Sequence, residues 1–108
     1  MIDNCGLSKS DQETIENVMQ SFEEIEEVLL YGSRAKGNYK IGSDIDLAIK
    51  GKAVTDKLCS RLHSLLNEET PLPYFFDVTN YEHLNHQALK DHIDRVGKQF
   101  YQRTNISR

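Results

Sequence analysis

The sequence predicts a single α/β (α+β) domain, one β-sheet flanked by helices, and three observations carry that expectation. The chain has 108 residues, enough for one core and too few for two. Its apolar residues alternate between helical spacing and short β-rich runs, in the order α-β-loop-β-α-β-α. No repeat, low-complexity run or linker divides it, so residues 1–108 are read as one domain.

Each element has its own warrant. Ser10-Asp11-Gln12-Glu13 has the form of a capping box opening a helix. Behind it Ile15, Val18, Met19 and Phe22 recur at helical spacing, with acids on the other side. Val28–Tyr31 is a short apolar strand ended by Gly32, and Ile45–Ile49 a second strand closed by Gly51. Leu58, Cys59, Leu62, Leu65 and Leu66 place one helical face within Thr55–Asn67. Pro71 and Pro73 mark a turn, and Tyr74–Thr79 has the aromatic and β-branched make-up of a strand. Leu84, Ala88, Leu89, Ile93 and Val96 predict a last helix stopped by Gly97, leaving Lys98–Arg103 as a final strand or a frayed tail.

Composition narrows the function classes. A hydrophobic share of 38% with 28% charged residues describes a globular chain. No apolar run approaches the roughly 18 residues of a membrane helix, and no membrane partner is expected. Met1–Glu13 has neither the basic start nor the apolar centre of a signal peptide. Two cysteines do not make a disulfide framework, and cytoplasmic residence is expected. The net charge of -4 is uneven: eight acids precede residue 31 against Lys9 alone, and the remainder is mildly basic. A long nucleic acid demands a stronger basic surface than that; a small anionic ligand does not.

Between the first two strands runs Gly32-Ser33-Arg34-Ala35-Lys36-Gly37, and later Ser43-Asp44-Ile45-Asp46-Leu47. The glycines fit neither a dinucleotide fingerprint nor a Walker loop, since Asn38 stands where the lysine would be. Gly-Ser after a strand can still bind phosphate through backbone N–H groups, the Ser33 hydroxyl and the charges of Arg34 and Lys36. The same residues could also form a plain solvated turn.

Period-two alternation puts Asp44 and Asp46 on one face, with Ile45 and Leu47 turned to the core. Paired carboxylates with no adjacent lysine repel, and hard divalent cations such as Mg²⁺ relieve that repulsion; taken alone, the pair reads first as a half-exposed strand with its polar residues outward. Asp77, between Phe76 and Val78, falls on the face opposite those two. It is either an exposed edge residue or, if its strand lies beside Ile45–Ile49, a third acid. Three acids opposite a phosphate loop can hold the two ions used in nucleotidyl transfer. Cys59 with His63, and His83 with His86, lack the further ligands zinc needs. Tyr31, Tyr39 and Tyr101 can stack on a base or simply pack.

These motifs together resemble the signature of the DNA polymerase β nucleotidyltransferase superfamily, and within it the minimal nucleotidyltransferase (MNT) group. The resemblance covers most of the chain and implies a nucleotidyltransferase fold with a mixed sheet. It implies that Gly32, Ser33 and Arg34 hold the nucleotide and that Asp44, Asp46 and Asp77 bind two Mg²⁺ ions. Asp77 would help deprotonate the attacking hydroxyl. Lys36, where arginine is common, and Asn38-Tyr39-Lys40 depart from the usual loop. The activity implied is transfer of NMP, in the expected case AMP from ATP, to a hydroxyl. The implied acceptor is a tyrosine of a helical HEPN-type toxin, with which the chain would form a hetero-oligomer as antitoxin. The alternative is a non-catalytic module that neutralises such a partner by contact. Modification of a small molecule is the weaker third reading, because the chain leaves no room for an acceptor domain.

Overall fold

The computed structural model describes residues 2–103. Helix α1 (Lys9–Gln20) leads into strand β1 (Glu27–Tyr31), a single helical turn α2 (Ser33–Lys36) and strand β2 (Ile45–Lys50). Helix α3 (Asp56–Glu68), strand β3 (Phe76–Asn80), a 3-10 turn (Tyr81–His83), helix α4 (Gln87–Val96) and strand β4 (Lys98–Gln102) follow. The sheet order is β3-β2-β1-β4. β1 is antiparallel to β2 and β4, whereas β2 and β3 run parallel. The expected mixed sheet is therefore present. Lys98–Gln102 is its fourth strand and not a frayed tail.

Alternation along the strands divides the apolar residues between two layers. Val28 and Leu30 of β1, with Ile45, Leu47 and Ile49 of β2, join Ile15 and Met19 of α1 and Leu58, Leu62 and Leu66 of α3 in the main core. The opposite face presents Leu29, Tyr31 and Ala48 to Leu89, Ile93 and Val96 of α4. β4 breaks the alternation: its register against β1 shifts between Val28 and Leu29, and both Phe100 and Tyr101 face the main core. A bulge of this kind gives one strand an extra residue. Among the described residues no helix is long and apolar enough to cross a membrane.

Several boundaries differ from the sequence expectation. Ser8, not Ser10, caps α1, its hydroxyl accepting from the Asp11 N–H at 3.0 Å. The two serines have similar surroundings in sequence, and Ser8-x-x-Asp11 is as good a cap pattern as Ser10-x-x-Glu13. The Gly32–Ser43 segment is not loop throughout, because Ser33–Lys36 closes one helical turn that ends at Gly37 with φ 82°. Leu84 lies outside α4, which begins at Gln87 behind the cap His86.

Candidate active site

The site is built where β1 runs out. Gly32 takes φ 77°, a left-handed conformation that other residues adopt only under strain. A methyl group at this position would also collide with Oδ2 of Asp46. Glycine is thus required twice over: the backbone turns there, and it lies directly against a carboxylate of the next strand. The first N–H groups of α2 have no partner within the helix, and Gly32 supplies no side-chain cap. Ser33 stands at this opening, partly exposed.

The three acids meet at the same end of the sheet. Asp44 immediately precedes β2 and is exposed, while Asp46, the second residue of the strand, is half-buried. In the parallel register Asp46 lies directly beside Asp77 of β3, and on its other side it faces Tyr31 of β1. Phe76 is fully buried and Val78 packs on the main core, so Asp77 lies on the other face, as its exposure indicates. Asp77 is therefore both things the sequence left open, an exposed edge-strand residue and the neighbour of the other two acids.

Electrostatics marks Asp46 as the centre. Burial, then the charges of Asp77 and Asp44, push its carboxyl up to about 6. Burial and like-charged neighbours act in the same direction, both disfavouring the ionised form. Among the described residues no three His, Cys, Asp or Glu side chains are already drawn together as a metal-binding group. The donor chemistry nevertheless fits a hard divalent cation, because Asp77 and Asp44 bring two further carboxylates near the partly desolvated Asp46.

Arg34 does something other than the sequence suggested. It is 3% exposed, and its guanidinium donates to the Cys5 carbonyl at 2.8 Å and, through Nε and Nη2, to the Ser43 carbonyl at 3.1 and 2.9 Å. The rings of Tyr39 and Tyr74 lie 5.1 and 5.2 Å from its centre. Arg34 is thus an internal brace between the N-terminal segment, α2 and the residue before Asp44. Direct phosphate contact, the role expected for it, would require breaking that brace. No pattern in the sequence points to Cys5 or Ser43 as its partners, because both contribute backbone carbonyls.

The tyrosines also resolve. Tyr39 stacks on Arg34, Tyr101 is buried in the main core, and the Tyr31 hydroxyl lies 2.9 Å from Thr79 Oγ1. Cys59 and His63 line an open cleft of about 440 Å³ between α3 and β3, with Asp56, Ser60, Ser64, Val78 and Asn80. The cleft opens on the Val78 side of β3, away from Asp77. Burial, then Asp56, pushes the Cys59 thiol up to about 11, and His83 lies 3.4 Å from Asp56.

Comparison with known proteins agrees with this fold. The family model described as polymerase beta, nucleotidyltransferase matches residues 13–106. No curated protein matches. A crystal structure of a mutant MntA-HpeT toxin-antitoxin is similar with a TM-score of 0.69 and 16% identity, over 85% of this chain and 73% of that one. A toxin-antitoxin structure with AMP-PNP gives 0.65 and 20% identity, over 86% and 74%. A proposed nucleotidyltransferase from Sulfolobus solfataricus gives 0.52 and 27%, over 85% and 77%. At these identities the solved structures speak for the fold, and the family model carries the assignment. The chain belongs to the polymerase β nucleotidyltransferase family.

Proposed function

We propose that this chain is a Mg²⁺-dependent nucleotidyltransferase that moves AMP from ATP onto a hydroxyl, the acceptor being a tyrosine of a helical HEPN-type toxin partner. The observation that carries this reading is Asp46, in register with Asp77, its carboxyl pushed up by burial and then by Asp77 and Asp44, and set directly against Gly32. Toxin-antitoxin complexes among the structures of like fold, one with AMP-PNP, support the choice of partner and nucleotide. The protein would act in the cytoplasm as antitoxin within a hetero-oligomer.

The chain's own residues divide the work. Backbone N–H groups at Gly32 and Ser33, with the Ser33 hydroxyl, orient the triphosphate. Asp44, Asp46 and Asp77 would hold two Mg²⁺ ions, which when bound polarise the α-phosphate and lower the pKa of the attacking hydroxyl. The acceptor oxygen forms a bond to the α-phosphorus as the bond to pyrophosphate breaks. The hydroxyl proton passes to Asp77, the exposed acid of β3. A second protein is needed to hold the acceptor in line, because positioning supplies much of the rate in such transfers.

A second reading has one observation in its favour: the three acids are adjacent but not gathered on a common point. It makes the chain a nucleotide-binding antitoxin that neutralises its partner by contact alone. One experiment separates the two. With α-labelled ATP, Mg²⁺ and the HEPN-type protein, label should pass to that protein. Asp77→Asn should lower labelling about 10³-fold, the effect of losing ~4 kcal/mol of transition-state stabilisation, yet leave the complex intact. A stable complex without label, and neutralisation untouched by Asp77→Asn, would establish the contact reading instead.

A further inference from the structure

We propose that Tyr31 and Thr79 form a clamp that holds Asp77 against Asp46, which makes both of them positioning residues for nucleotidyl transfer. The inference rests on the function proposed above. Tyr31 ends β1 and Thr79 lies in β3, and these strands are not neighbours, since β2 runs between them. Their hydroxyl oxygens are nevertheless 2.9 Å apart, hydrogen-bond distance for two hydroxyls. In register Tyr31 faces Asp46 while Thr79 faces Ala48. The tyrosine therefore crosses β2 diagonally, over a residue small enough to let it pass. Ala48 and Tyr31 are 0% and 6% exposed and pack with Ile93 in the α4 layer. His92 of α4 meets the Tyr31 ring edge-on at 6.2 Å, which fixes the ring from above.

The physical need is clear from where Asp77 lies. β3 is an edge strand with a single neighbour, and Asp77 is its second residue. Strand ends at an edge open at small cost, and like charges on Asp46 and Asp77 push that end outward. A bond two residues further along, anchored in β1, opposes that motion without touching the acids. Packing alone does not call for the hydroxyl. A phenylalanine would fill the same volume, and a phenol in so buried a place is unfavourable unless paired.

The test uses the full chain with Tyr31→Phe, Thr79→Val, Thr79→Ser, the Phe/Val double variant and Asp46→Asn as control. Mn²⁺ binding is read by calorimetry, and amide exchange across residues 76–80 by mass spectrometry. Tyr31→Phe and Thr79→Val should each weaken Mn²⁺ binding about three- to tenfold, the worth of one partly buried hydrogen bond. The double variant should be no worse than the weaker single variant, exchange in β3 should quicken, and Thr79→Ser should behave as wild type. Weakened binding in Tyr31→Phe with none in Thr79→Val would mean that the phenol meets the ligand directly, and would overturn the clamp. Wild-type binding and exchange in both, with binding abolished in Asp46→Asn, would overturn the clamp but spare the proposed function. Unchanged Mn²⁺ binding in Asp46→Asn would remove that function, and the clamp's role with it.

Discussion

Replacing Asp46 with asparagine should stabilise the fold while it destroys the site. In the folded chain the Asp46 carboxyl is raised from 3.8 to about 6, first by burial and then by Asp77 and Asp44. The folded state therefore holds this proton more tightly than the unfolded chain does. Between about pH 4 and pH 6 the unfolded state binds fewer protons than the folded one, so stability falls as pH rises through that window. Below it both states are protonated and the penalty vanishes; above it the penalty is complete. Unscreened, the shift corresponds to about 3 kcal/mol, and screening of a partly exposed group reduces this to roughly 1–2 kcal/mol.

Asparagine has nearly the same shape and cannot ionise, so Asp46→Asn should escape the penalty. Thermal unfolding without divalent cations at pH 7.5 should then show a Tm higher by roughly 5–15 °C, as expected for a domain of this size. The two proteins should converge near pH 4. Mg²⁺ or Mn²⁺ should raise the Tm of the wild type and leave that of the variant unchanged, because a ligand stabilises only the state that binds it. An Asp46→Asn protein no more stable than wild type at pH 7.5, or equally more stable at pH 4, would refute the electrostatic account of the site.

Three further substitutions probe the loop. Gly32→Ala places a methyl group against the Asp46 carboxylate at a φ of 77°. It should cost about 1–3 kcal/mol in urea unfolding and weaken Mn²⁺ binding in calorimetry, since the carboxylate must move aside. Arg34→Met leaves the Cys5 and Ser43 carbonyls without their donor and should cost about 2–4 kcal/mol in the same unfolding assay. Arg34→Lys should recover less than half of that loss, because an ammonium cannot reproduce the planar fork on Ser43.

How much of this was legible in the sequence depended on the range of the interaction. A period of two sets Asp46 off the core face, and the approach of Asp77 follows once its strand is supposed to lie beside Ile45–Ile49. Alternation is local, so it survives without knowledge of strand order. The cap of α1 was misplaced by two residues because Ser8 and Ser10 each precede an acid at the right distance. Only the helix's start in space chooses between them.

Arg34 shows a different kind of failure. A basic residue in a glycine loop reads as a phosphate ligand when only its neighbours are known. Its true partners lie 29 residues before it and nine after it, and both are backbone oxygens that no side-chain pattern can announce. Tyr31 and Thr79 are 48 residues apart and become partners only because β2 comes to lie between their strands. The same sheet order that hides such pairs from the sequence brings them to the site. Crossing from β1 to β3 is possible only where β2 presents a small side chain, and Ala48 is that residue, fully buried beneath the crossing. Ala48 thus belongs to the functional design as much as to the core. It contributes no chemistry, but it leaves the space through which a buried phenol can reach the edge strand that carries Asp77.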